Sequence, residues 1–108
     1  MPFPQRIRPT ELGTGLSTLF TANRPIRLTF VALTNRTSAD KAVTMHVVPR
    51  GSTAINANMF LPTMTVLAND LRTLELRIPM SAGDTLQGFS NVAGVVLIGE
   101  YLDEKKNL

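Results

Sequence analysis

The chain has 108 residues, a net charge of +3 and no cysteine, so it holds one core and excludes disulfides, thiolate metal centres and thiol nucleophiles. Its single histidine, His46, excludes any site that needs two imidazoles. A hydrophobic share of 44% beside a charged share of 18% describes a globular domain and not a disordered one.

Residues 1–12 predict an extended N-terminal arm. Pro2, Pro4 and Pro9 deny a helix, and Arg6 and Arg8 alternate with Ile7. The arm either docks on a neighbour or frays. Gly13-Thr14-Gly15 leads into a strand over Leu16–Thr21, which Ala22-Asn23-Arg24-Pro25 closes as a turn. The pair of glycines has no following helix and no lysine, so it is not a phosphate loop. Ile26–Thr34 reads as a half-buried strand with Ile26, Leu28, Phe30 and Ala32 on its inner face. After the polar turn 35–40, Lys41–Val48 is a third strand. It has Val43, Met45 and Val47 on one face and Thr44, His46 and Val48 on the other. Residues 53–61 predict a short helix or irregular crossover that Pro62 ends.

Four more strands follow. They are Thr63–Leu67, then Leu71–Ile78 with Leu74, Leu76 and Ile78 inward, then Thr85–Ser90, then Val95–Leu102. Turn chemistry separates them at 68–70, 79–84 and 91–94. Val95, Val96, Leu97 and Ile98 are apolar at both parities, which suits a central strand or a subunit contact. About seven strands with regular turn signals predict an all-β, antiparallel sandwich or barrel. Asp103–Leu108 is expected to be a solvated tail, leaving 13–102 as a single domain. No apolar run reaches the ~18 residues of a membrane helix. The residues after Met1 carry no apolar signal core, so the Asn35-Arg36-Thr37 sequon is not expected to be glycosylated.

No catalytic set assembles from these elements. Ser52, Ser81 and Ser90 lie in or beside turns without a nucleophile-elbow pattern, and His46 lies mid-strand, expected on the solvent face or in a subunit contact. Glu75, Asp84 and Glu100 sit on separate segments, and Asp84 after Gly83 reads as a turn cap. No enzyme activity, cofactor or metal is expected. With five Phe, one Tyr and no Trp, stacking platforms for bases or sugars are thinly supplied.

The charge is unevenly placed. Residues 1–50 carry seven cations against two carboxylates, and residues 51–108 carry four against six, giving +5 and −2. Arg6, Arg8, Arg24 and Arg27 could line phosphates. Spread through strands and turns as the cations are, the asymmetry argues more for self-association, positive patch to negative patch.

An ordered set of motifs runs from Leu16 to Leu102. It comprises Thr18-Leu19-Phe20-Thr21-Ala22, Leu33-Thr34-Asn35, Val48-Pro49-Arg50-Gly51-Ser52, Ala57-Asn58, Ala82-Gly83-Asp84-Thr85-Leu86, Ala93-Gly94-Val95 and Gly99-Glu100. In this order the chain resembles the small all-β virion structural proteins of tailed bacteriophages, over about four fifths of its length. It departs from their pattern at Arg50, where a small residue is common, and in its proline-arginine arm. The resemblance implies a jelly-roll-like sandwich in a virion, made in the host cytoplasm, that serves as a capsid decoration or cement protein. A head–tail or tail-associated component is the alternative, and a carbohydrate-binding jelly-roll module is another. The expected partners are copies of itself, with a trimer favoured, and a major capsid protein or other virion protein. No membrane partner is expected, and nucleic acid is an unlikely one. The expected assembly contacts are Arg6, Arg8, Val95, Val96, Leu97 and Ile98.

Overall fold

The computed structural model describes residues 4–103. Positions 1–3 of the expected arm and 104–108 of the expected tail lie outside the described residues. The elements in order are β1 (Pro4–Glu11), β2 (Ser17–Thr21), β3 (Ile26–Asn35) and β4 (Lys41–Val48), then a 3-10 turn at Asn56–Asn58. β5 (Met59–Val66), β6 (Asp70–Met80), β7 (Thr85–Ser90) and β8 (Val95–Asp103) complete them.

The strands form two antiparallel four-stranded sheets, in the orders β1-β8-β3-β6 and β2-β7-β4-β5. First pairs with last, second with seventh, third with sixth and fourth with fifth. That nesting is one long antiparallel ribbon rolled up on itself, the winding of an eight-stranded jelly roll. The expected sandwich is present, with eight strands instead of about seven.

The extra strand is β1. Its residues are extended, as the prolines require, but they pair in register with β8 of the same chain. Ile7 faces Gly99 across this pairing and is buried, and Leu12 just beyond β1 donates its N–H to the Val95 carbonyl at 2.8 Å. The pairing shifts between Ile7 and Thr10, around Pro9, which has no N–H to give. Gly99 is required by this approach. A Cβ there would stand 2.9 Å from Ile7 Cδ1 and 3.1 Å from the Phe30 carbonyl.

The segment 53–61 departs from expectation. Its helical part is three residues long, and β5 starts at Met59 and runs through Pro62. β5 is an edge strand, and its pairing with β4 slips between Val43 and Met45 and again between Met45 and His46. A proline fits at such a bulged edge because no ladder bond is lost there.

β3 departs in phase. Its pairings with both β6 and β8 shift between Leu28 and Phe30. Ile26 and Leu28 face inward as expected, but beyond Thr29 the inner face passes to Val31 and Leu33, both 0% exposed. Phe30 and Ala32 therefore lie on the outer face, against the sequence reading. A one-residue irregularity inverts every side chain after it.

The core between the sheets is aliphatic: Leu28, Leu33, Val43, Met45, Leu86 and Leu97 are all fully buried. Phe20 and Tyr101 meet across the two layers with ring centroids 4.9 Å apart. Polar clamps close the ends of the sandwich. Asn35, 1% exposed, donates its side-chain amide to the carbonyls of Ala39, Val66 and Leu67. Its Oδ1 accepts from the Thr37 N–H and hydroxyl. Asp84 caps turns as expected, accepting the Arg50 N–H at 3.0 Å and the Ser81 N–H at 2.8 Å. Gly83 beside it has φ +94°, and a Cβ there would meet Arg50 Cδ at 2.5 Å. The Val-Pro-Arg-Gly and Ala-Gly-Asp-Thr motifs thus meet each other, and both serve the turns.

Candidate assembly interface

The two sheets have unlike outer faces. On the β2-β7-β4-β5 sheet, the outward residues of β4 are covered by the chain itself. The segment 53–58 folds back so that Nδ1 of His46 lies 3.2 Å from the Ile55 carbonyl and 3.0 Å from Asn58 Oδ1. Asn58 Oδ1 also accepts the Ile55 N–H, and its amide donates to Thr53 O. Both neighbours of Nδ1 are acceptors, so Nδ1 carries the proton. His46 is 5% exposed and Thr44, bonded to Pro62 O, is 7% exposed. The expectation of a histidine on the solvent face or in a subunit contact is corrected: His46 holds a cover of its own chain in place.

The outer face of the β1-β8-β3-β6 sheet has no such cover among the described residues. Its side chains fall in cross-strand rows set by the register. One row runs Arg6, Glu100, Phe30, Glu75 from β1 to β6. The next runs Ile98, Ala32, Thr73, and a third runs Glu11, Val96, Thr34, Leu71. Ile98 is 38% exposed and Leu71 is 51% exposed. Two shallow depressions that share Phe30 and Glu100 hollow this face. The larger, of about 680 Å³, reaches Arg27, Glu75, Arg77 and Leu102, and the smaller, of about 310 Å³, reaches Arg6 and Ile98. Arg6, Glu75 and Glu100 make no ion pair among the described residues.

The expected contact residues divide accordingly. Arg6, Val96 and Ile98 share this face. Val95 and Leu97 do not belong with them: both are 0% exposed, packed in the chain's own core. A strand's side chains alternate, so an apolar run of four offers only two to each side. Arg8 lies in the irregular stretch between Ile7 and Thr10 at the sheet edge and is exposed. Phe30, Glu75 and Leu71 were not foreseen here. Their signal was masked by the β3 bulge and by the even alternation of β6.

The charge asymmetry between sequence halves does not survive folding. In each sheet, strands of the first half alternate with strands of the second, as β1-β8-β3-β6 and β2-β7-β4-β5. No positive end faces a negative end, and the head-to-tail argument for a trimer loses its support. On the bare face the signs are mixed, with Arg6, Arg27 and Arg77 beside Glu11, Glu75 and Glu100.

Elsewhere the chemistry is sparse. The described residues bring together no group of three His, Asp or Glu side chains suited to a metal ion. Tyr101 is occupied with Phe20 between the sheets. No helix of the described residues is long and apolar enough to cross a membrane.

No family model and no curated protein matches this chain. Among solved structures it is similar to a chain in the structure of infectious bursal disease virus, Gx strain, with a TM-score of 0.52 at 11% identity. That likeness covers 99% of this chain and 33% of the viral one. A pentameric capsid protein isolated from metagenomic phage sequences is also similar, with a TM-score of 0.42 at 18% identity over 91% of this chain and 60% of that one. The chain thus spans about a third of the first structure's length. At 11% identity what the two share is the fold.

Proposed function

We propose that this chain is a virion structural protein, a jelly-roll unit that decorates or cements a capsid by non-covalent association with its own copies and with the shell. The observation that carries the reading is the uncovered outer face of the β1-β8-β3-β6 sheet. Phe30, Ile98, Val96 and Leu71 stand there beside Arg6, Glu75 and Glu100, which find no ion partner among the described residues. Exposed apolar surface ringed by polar groups marks an interaction site. The fold shared with a chain of a virus structure and the motif resemblance to phage virion proteins support the same reading. The mechanism is binding, with no catalytic step. The test is the protein content of gradient-purified particles from cells that carry the gene. Many copies per particle are expected, and their loss on Ile98→Lys with the fold retained. Absence of the chain from particles overturns the proposal.

A further inference from the structure

We infer that two copies of this chain pair face to face through the outer face of the β1-β8-β3-β6 sheet, about a two-fold axis that runs parallel to the strands between β8 and β3. This rests on the assembly reading above and supplies its geometry. Rotation about that axis keeps every cross-strand row at its own level and reverses the order of the strands. β1 of one copy then lies over β6 of the other, and β8 lies over β3.

Each row gains one complementary pair under this operation. In the first, Arg6 comes to Glu75 of the second copy, and Glu75 to its Arg6, so the contact forms twice. In the second, Ile98 comes onto Ala32, large against small. In the third, Val96 comes onto Thr34, and Glu11 comes onto Leu71, a mismatch. A residue pair that satisfies its own image is what an isologous contact requires. The face carries arginines and glutamates together. It therefore suits neither a polyanion such as nucleic acid nor a partner of one sign, and a second copy is the occupant it matches.

The other face-to-face two-fold, across the strands, packs less evenly, because its pivot row lays Ile98 on Ile98 and Ala32 on Ala32, large on large and small on small. With the Ile98 row as pivot it sets Arg6 against Glu11, but it also lays Glu100 over Val96 and Glu75 over Leu71. Two carboxylates per copy would lose water against aliphatic groups. The axis along the strands carries a similar cost, with Glu11 over Leu71 and Glu100 over the Phe30 ring, where Arg6 stands next to it in the same row, so the Ile98 row is what separates the two arrangements.

The contact is small. Four strands about 5 Å apart and some 25 Å long cover roughly 500 Å² per copy, below the ~800 Å² of a standard interface. The free protein is therefore expected to dimerise with a dissociation constant in the micromolar range or weaker. Copies held together on a particle gain in effective concentration.

The experiment is a charge swap read by sedimentation of the full chain. Arg6→Glu and Glu75→Arg should each weaken dimerisation by about tenfold, and the double variant should return to within about threefold of the starting affinity. Because the chain has no cysteine, single substitutions report contacts directly. A mixture of Arg6→Cys and Glu75→Cys proteins should form a mixed disulfide under mild oxidant, and Arg6→Cys with Glu11→Cys should not. An Arg6→Cys–Glu11→Cys disulfide, or a charge swap without recovery in a dimer that still forms, overturns the axis and leaves the assembly reading standing. A monomer at every concentration up to about 1 mM overturns the pairing itself. The particle content described above decides the virion reading separately.

Discussion

The outer faces of the two sheets answer the same problem in different ways. On the β2-β7-β4-β5 sheet, the ten residues 49–58 leave β4, make a single 3-10 turn and return as β5, sealing His46 on the way, while Pro62 of β5 holds Thr44. On the β1-β8-β3-β6 sheet the strands are joined to the other layer instead, and Ile98 and Leu71 stay open. One face is covered within the chain, and the other has no such cover among the described residues. Stability and association should therefore be separable by position, even between adjacent residues.

The sharpest contrast is Leu97 against Ile98. Leu97→Ala empties a core position and should cost about 3 kcal/mol in denaturant unfolding. Gly99→Ala comes next. It drives a methyl into Ile7 and the Phe30 backbone, and should cost about 1–3 kcal/mol by the same measurement. His46→Ala removes the hydrogen bonds that hold the 53–58 cover, at about 1–2 kcal/mol. Faster hydrogen exchange should then be confined to 53–58 and the outer side of β4. If exchange there is unchanged, the cover does not depend on His46. Smallest is Ile98→Ala, within about 0.5–1 kcal/mol of the starting stability, while it weakens association measurably. Equal destabilisation by Leu97→Ala and Ile98→Ala would abolish the distinction between the faces.

Much of this arrangement was legible in the sequence, and the failures have specific causes. β4 and β6 alternate cleanly, and their faces follow from a period of two. In β3 the residues Phe30, Val31, Ala32 and Leu33 are apolar at both parities, so no alternation marks where the phase changes at Thr29. Pro62 and Pro9 suggested breaks and instead lie in edge strands, which a single sequence does not identify. Arg6, Val96 and Ile98 share the bare face, but an apolar run of four does not by itself separate Val96 and Ile98 from the buried Val95 and Leu97. Glu75 and Leu71 join them only through the order of strands. The motifs behind the family resemblance behave differently again. Asn35, Asn58, Gly83 and Asp84 all serve turns and clamps, so they report how the roll is built, while Thr34 and Glu100 of the same motifs reach the bare face.

The pairing of β1 with β8 also has a consequence in time. β1 is made before the other seven strands, and its ladder partner among the described residues, β8, is made after them. At about 5–20 residues per second the interval is on the order of ten seconds. Throughout it Ile7 has no Gly99 to rest against, and the sheet that carries the bare face lacks its order. The bare face is thus finished only when β8 has been made, and a chain stopped before Val95 has neither the lock nor the face. Synthesis order itself holds this face open until β8 can close it.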